Sequence, residues 1–485
     1  MRNFLLMATA VLGWSMSLPA LADCTLPATP NDGYFDQAWA GNGCIVFDSD
    51  NRDSTRSGEV DRLDIAANGD IFIGGYTSTA AGFSWWIGEL TPGGAFDANF
   101  GDSDASGRIT GCQMYLPGAC PGELQEFEFL PQPDNKILIL SPGYLARTNA
   151  GGHAFDAAGV AGGSGHVTPS FQVATPAGTL SADFGGLALA ASGRIWMTGY
   201  GTIPSSITLL GGLARLNSDL SLDTSFHAAT VDAETYAGGQ FVNTGDDTKE
   251  RQVLLQSTGK PVLIGTKYND DLRVSRLNVD GSLDTSFGNQ GTTVLTTPPA
   301  PCSSTYYPLI PHRPAAKDRA DRIVLTGECY SSAVSNYITV VVRLTADGDL
   351  DTMFGNAGYY VNSTFAACPS NLVVPRAIAI DSAGRILVGG GCDSQFAVQR
   401  LRGDHGTLDT SFGIDGLAHG HFDPTSVSDQ VEAMVFDGSG HLFIGGYADP
   451  SATGLRAGVA RLTYDLIYTN DLESAPRGCL PPNCN

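Results

Sequence analysis

A nonapeptide, Leu-Asp-Thr-Ser-Phe-Gly-x-x-Gly, returns along this chain at a nearly constant interval. It stands complete at Leu283–Gly291 and Leu408–Gly416, and with one change, Met353, at Leu350–Gly358. Leu222–Phe226 keeps its first five residues. Weaker copies lie at Phe96–Gly101, Phe35–Trp39 and Phe155–Ala158. The aligned aspartates are Asp36, Asp97, Asp156, Asp223, Asp284, Asp351 and Asp409, about 62 residues apart on average. An internal period of this length constrains the fold more than any composition does.

Other features keep the same phase. An Arg-Leu step precedes the motif at Arg215, Arg276, Arg343 and Arg400, and recurs at Arg461. Further upstream an apolar run, a Gly-containing turn and a second apolar run make a hairpin signal, as in Leu63–Tyr76, Leu187–Tyr200, Ala377–Gly390 and Val431–Tyr447. Unit five departs, with Pro308–Asp318 in place of the first run. Each unit therefore holds four strands, read in unit six near Gly358–Val361, Arg376–Ile380, Arg385–Val388 and Phe396–Leu401. Seven such units with no helical period between them predict an all-β, seven-bladed propeller with four antiparallel strands per blade.

The motif, the Arg276–Gly281 segment Arg-Leu-Asn-x-Asp-Gly and the Gly-Lys/Arg-Ile hairpin resemble the delta-60 repeat family of bacterial exported proteins, over about residues 31–466. That resemblance implies a propeller-like fold and no enzyme activity, so it carries no catalytic residues with it.

The phase predicts how the ring closes. The chain enters within a motif, so its first strand, near Cys44–Asp48, is an outer strand with nothing before it. It ends after a third strand near Ala460–Thr463 with no outer strand to follow. Pairing these two removes both open sheet edges. Long, unlike connections, Thr168–Ala182, Thr230–Glu250, Thr297–Asp318, Ser363–Pro375 and Tyr200–Leu210, emerge on one face, the expected binding face. Tyr76, Tyr200, Tyr268, Tyr330 and Tyr447 recur at or near the end of the second strand. They are read either as a binding surface or as rings packed on the neighbouring blade with wet hydroxyls.

The N-terminus reads as a secretory signal: Arg2, an apolar run from Phe4 to Leu18, and Ala20-Leu21-Ala22 as cleavage site. The expected organisation is thus a signal over 1–22, a propeller over 23–466 and a short tail over 467–485, secreted or periplasmic and monomeric. No other stretch is long and apolar enough to span a bilayer. The net charge of −23 becomes −24 without Arg2, which argues against nucleic acid. Ten cysteines in an exported chain favour disulfides. Phase and neighbourhood make Cys24–Cys44, Cys112–Cys120, Cys302–Cys329, Cys368–Cys392 and Cys479–Cys484 plausible, and sequence alone does not prove the connectivity.

Candidate chemistry is sparse. Asp102-x-Asp104-x-Ser106-Gly107 resembles the first half of a calcium loop. Its twelfth position is Gln113 rather than Glu, and a solvated acidic turn is the other reading. Asp48, Asp50 and Asp53 form a looser acidic group. His419 and His421 should share a strand face that Asp423 continues. The recurring Arg and Asp read as structural ion pairs, since an active site is singular. Motifs for serine hydrolases, zincins, P-loops and dinucleotide sites are absent. No cofactor is expected beyond the calcium candidate. The first functional reading is a non-enzymatic module binding a protein or glycan through the long-loop face. The second is a hydrolase or lyase acting on a sugar or lactone at the central channel. Carboxylates or histidines from different blades converging at the channel mouth within metal-ligand distance would favour the second.

Overall fold

The computed structural model describes residues 33–464 except 49–57, 67, 80–81, 102–105, 111–126, 142–143, 168–172, 176–177, 203–208, 227–234, 237–238, 243–247, 268–271, 297–298, 304–314, 363–373 and 451–453. The strands form seven antiparallel sheets set as the blades of a propeller, each ordered from an inner to an outer strand. Blade 1 comprises Arg62–Ile65, Ile71–Thr79, Gly82–Leu90 and Arg108–Thr110. Blade 2 comprises Glu128–Pro131, Ile137–Ser141, Tyr144–Arg147 and His166–Val167. Blade 3 comprises Gly178–Leu189, Ile195–Thr202, Leu209–Leu216 and Gly239–Val242, with Val173–Thr175 and Thr235–Tyr236 added at its edges. Blade 4 comprises Thr248–Leu255, Pro261–Lys267, Leu272–Arg276 and Thr292–Leu295. Blade 5 comprises Ala315–Lys317, Ile323–Ser331, Asn336–Leu344 and Tyr359–Asn362. Blade 6 comprises Val374–Ile380, Ile386–Cys392, Gln395–Leu401 and Leu417–Gly420. Blade 7 comprises Ser428–Phe436, Leu442–Asp449 and Arg456–Leu462, and its outer strand is Cys44–Phe47 from the other end of the chain.

The closure is the one the phase predicts. Cys44 pairs with Ala460 and Phe47 with Ala457 in antiparallel register. The contact continues upstream through a Phe35–Leu462 bridge and hydrogen bonds from Asp36 N to Arg461 O (2.8 Å) and Gly33 N to Thr463 O (2.7 Å).

Apolar burial lies between blades rather than inside them. Leu387 and Val398 of blade 6 share one cluster with Val431 and Ile444 of blade 7, and Val262 and Ile264 of blade 4 share another with Ile323 and Leu325 of blade 5. Central strands are covered on both sides by neighbouring blades. This explains why Ile386–Val388 and Leu442–Ile444 are continuous apolar runs instead of alternating ones.

The repeat motif is an inter-blade staple. In blade 5 the Arg343 Nε donates to Asp351 Oδ2 at 2.7 Å, and Nη2 reaches the Asp404 carbonyl of blade 6 at 3.1 Å. The guanidinium lies 4.5 Å from the Phe354 ring centroid. Arg147–Asp156, Arg215–Asp223, Arg276–Asp284 and Arg400–Asp409 repeat the ion pair at 2.6–2.9 Å. The aspartate also caps its own turn, with Ser411 Oγ donating to Asp409 Oδ1 at 2.6 Å. Burial works against ionising Asp409, yet Ser411 and Arg400 together hold its carboxyl below the usual range. In blade 7 the pair is made by Arg461 and Asp36 (2.6 Å), from opposite ends of the chain. Blade 1 is the exception: the position of the arginine is taken by buried Glu89. Burial first, then Asp70 and Asp97, push its carboxyl up to about 8.

Two details correct the sequence reading. Blade 5 does have an inner strand, Ala315–Lys317, only three residues long. The segment Thr230–Glu250 is not simply a loop, because it contains the outer strand of blade 3 and its added edge.

Candidate functional site

The inner strands begin on the long-loop face, and several carry a β-bulge there: between Glu250 and Gln252, Pro375 and Ala377, and Val431 and Ala433. A bulge leaves one residue outside the ladder and re-aims it. The bulged residues are Arg251, Arg376 and Glu432, and Asp61 holds the matching place in blade 1, five residues before the hairpin turn opens. The chain can approach so closely because the neighbouring strand carries glycine. A Cβ at Gly75 would overlap the Glu59 carbonyl oxygen, and one at Gly446 the Gln430 carbonyl oxygen.

These positions gather ionisable groups from four blades at the channel mouth. Glu59 and Asp61 come from blade 1, Glu328 from blade 5, Arg376 from blade 6 and Glu432 from blade 7. Burial is the largest influence on each acid. It raises Glu59 against the opposing charge of Arg376. It raises Asp61 well above the carboxylate range, reinforced by Glu59 and Glu432. It pushes Glu432 up to about 7. Burial raises Glu328 too, against Arg376. Yet Arg376 has no hydrogen bond or ion pair among the described residues, and its Nε is buried without a partner, as is Asp61 Oδ2. Arg62 lies 3.3 Å from Glu128 Oε2 and donates through Nη1 to the Asp61 carbonyl at 2.8 Å, its Nε too being buried without a hydrogen bond, and its charge favours the ionised forms of Asp61 and Glu432. Among the described residues no group of three His, Cys, Asp or Glu could hold a metal ion. Deeper in, a cavity of about 280 Å³ is lined by inner-strand residues of blades 2 to 4, including Glu128, Leu187 and Gln252.

The tyrosines divide. Tyr76, Tyr200 and Tyr447 occupy one equivalent strand position, which in blade 5 holds Glu328. Tyr447 donates to Gln430 Oε1 at 2.9 Å, and burial followed by Glu432 and Glu59 among the nearby charges raises its phenol. Tyr76 packs edge-on against Phe127 at 5.2 Å. Tyr330 is exposed and meets Tyr337 at 5.6 Å, while Tyr268 lies outside the described residues. Tyr330 lies two residues beyond the equivalent position that Glu328 holds.

Asp102 and Asp104 also lie outside the described residues, and Ser106 is partly buried. Asp50 and Asp53 lie outside too, whereas Asp48 Oδ1 is 3.2 Å from Arg456 Nε. His419 and His421 converge on the Gln395 amide, at 2.6 and 3.4 Å, and His421 Nδ1 lies 3.2 Å from buried Asp429. Asp423 leaves that row and pairs with Arg456 at 3.2 Å. Cys302 and Cys329 are disulfide-bonded, with Cα atoms 5.7 Å apart. Cys44 and Cys392 are each in a disulfide whose other half lies outside the described residues, as do Cys24, Cys112, Cys120, Cys368, Cys479 and Cys484.

The sequence reading gave no functional role to Glu59, Asp61, Arg376 or Glu432, and named Arg376 only as the start of a strand. The available signal for Asp61, Arg376 and Glu432 was a charge five residues before the hairpin turn, where an inner strand should be apolar; Phe127 and Gly185 hold that place in blades 2 and 3, and Glu59 lies outside the pattern.

A protein family described as a domain of unknown function (DUF5122) beta-propeller matches residues 196–226 and 256–287. These stretches run from the second strand through the motif in blades 3 and 4, and they support a propeller-repeat family without confirming the delta-60 name. No curated protein matches. Among solved structures, a protein of unknown function from Dyadobacter fermentans aligns at 11% identity, covering 87% of this chain and 98% of its own, with TM-score 0.43. The polysaccharide lyase Uly1 aligns at 8% identity over 84% and 90%, TM-score 0.42. An alpha-L-arabinofuranosidase from Fusarium graminearum aligns at 11% over 86% and 97%, TM-score 0.39.

Proposed function

We propose that this is an exported, non-enzymatic binding propeller that receives a small polar ligand at the channel mouth, on the long-loop face. The supporting observation is Arg376, a partly buried guanidinium facing carboxylates of three other blades and touching none of them. Buried ions are ordinarily paired, because desolvation without a partner is costly. Charges near enough to act on one another without being joined favour a molecule that supplies the missing hydrogen bonds. A glycan array with the mature protein and with Arg376→Ala, each with and without chelator, tests this. The expected result is retention that falls at least about tenfold in the variant. Undiminished retention by Arg376→Ala would place the site elsewhere. Loss of retention in chelator would bring in the calcium candidate at Asp102, Asp104 and Ser106.

One observation favours catalysis on a sugar or lactone instead. Glu432, pushed up to about 7 beside Glu59, makes a pair in which one carboxyl can hold a proton while the other is ionised. Turnover of an array ligand, lost in Glu432→Gln with binding kept, would establish that reading. Binding without turnover retires it.

A further inference from the structure

The second and third strands of blade 5, Ile323–Ser331 and Asn336–Leu344, are nine residues each and meet in a turn over Ser332–Ser335 on the long-loop face. We propose that the tip of this hairpin is a stacking site for a neutral sugar ring, walled by Tyr330 and Tyr337. It shares no residue with the channel mouth and does not depend on that reading.

Exposure marks the place. Eight large apolar side chains are exposed among the described residues, and three of them, Tyr330, Val334 and Tyr337, stand on this one tip. The repeat does not require an aromatic there. The positions equivalent to Tyr330 hold Ser78, Thr202 and Asp449 in blades 1, 3 and 7.

The two rings make a corner. Tyr330 and Tyr337 are directly opposed across the ladder. Their centroids are 5.6 Å apart and their planes meet at 73°. One ring can offer its face while the other closes the side. The C–H face of a pyranose carries slight positive charge and suits the negative face of an aromatic ring. The hydroxyls at the sugar's edge suit a phenol, which both donates and accepts.

The corner is held in advance. Cys329 is bonded to Cys302, and the next residue, Ser303, donates its N–H to the Tyr330 carbonyl at 2.7 Å. Ser303 Oγ accepts from the Ser332 N–H at 2.8 Å and lies 2.7 Å from Ser332 Oγ. Asn336 Oδ1 accepts from the Tyr337 N–H at 2.8 Å. A ligand that gains little per contact loses little in ordering such a tip.

Charge and size choose the occupant. Cys329–Ile338 holds no charged residue, in a chain of net charge −23. An anionic polymer finds no counter-charge on the tip and is repelled by the molecule as a whole, whereas a neutral saccharide needs none. Tyr330 and Tyr337 are 37% and 45% exposed. A fully buried tyrosine covers about 150–250 Å², so with Val334 the tip presents on the order of 200 Å². A stable protein interface takes roughly 800 Å² from each partner. The area fits one or two sugar rings.

The test is calorimetric titration of the full mature protein with cellohexaose, maltohexaose and hexagalacturonate. At least one neutral hexasaccharide should bind and hexagalacturonate should not. Tyr330→Ala and Tyr337→Ala should each weaken binding about tenfold or more. Tyr337→Phe keeps the ring and should weaken it no more than about threefold. Both sites are exposed, so the variants should keep the parent's melting midpoint. Tyr337→Phe as damaging as Tyr337→Ala would show that stacking is not the interaction and overturn the proposal. Binding lost in Arg376→Ala but kept in both alanine variants of the tyrosines would put the sugar at the channel mouth and overturn it too. So would binding of hexagalacturonate alone, or failure of all three probes. Self-association of the parent that Tyr337→Ala abolishes, with the sugars inert, would give the tip to a second copy of this chain and overturn the sugar assignment.

Discussion

Arg343 shows what one repeated side chain contributes. Its guanidinium joins Asp351 within the blade, the Gly403 and Asp404 carbonyls of the next blade, and the face of Phe354. Truncating one partner of a buried pair leaves the other charge uncompensated. Arg343→Ala should therefore cost about 3–5 kcal/mol in chemical denaturation, and Arg343→Lys should recover only part of that, since Lys lacks the fork. A cost under about 1 kcal/mol would mean the ion pair is not the staple. Glu89 makes the opposite case. Its folded carboxyl is raised to about 8, so between the unfolded value and about 8 the folded state binds the extra proton. Stability must then fall as pH rises across that window and level off above it. Glu89→Gln should flatten this slope, as read from midpoints of urea denaturation between about pH 5 and 9. The repeating Arg and Asp were legible from sequence as structural pairs because they recur. Glu89 was not legible, because its meaning appears only when it is seen in the arginine's place.

At the scale of the element, turn glycines separate two effects. Gly348 has φ of +86° and a Cβ there would come within 2.5 Å of the Phe287 ring, whereas Gly384, at +83°, would meet nothing within 4 Å. Gly384→Ala should cost about 1 kcal/mol from backbone strain alone. Gly348→Ala should cost about 2–4 kcal/mol, because the motif's Phe must also move. Equal melting shifts for the two variants would show that the Phe has room. Strands whose turns keep the motif's spacing were legible, among them the hairpin of blade 6 and the outer strand of blade 5. The outer strand of blade 3 was not, since the motif departs at His227 and its strand returns only at Gly239. The channel-mouth residues escaped for a different reason. Glu59 and Glu432 lie at opposite ends of the chain, and no local pattern pairs a bulge in one blade with a bulge in the next.

For the whole molecule, the decisive pairing joins Cys44–Phe47 to Arg456–Leu462. Removing residues 23–48 should leave the edge of blade 7 bare and Arg461 without Asp36. The expected outcome is a chain that associates through that edge, seen as dimers or larger species in size-exclusion chromatography. A truncated chain that stayed monomeric with an unchanged melting midpoint would show that the latch is dispensable. The same latch orders events in time. Its two halves are separated by about 400 residues, so at ordinary synthesis rates the first strand waits roughly 20–80 s for its partner. Blades 1 to 6 can pair internally as they emerge, but the seventh cannot exist until the last strand is made. A ribosome that stops early therefore releases an open arc with two sticky ends, and quality control at the site of folding has a single, late feature to inspect.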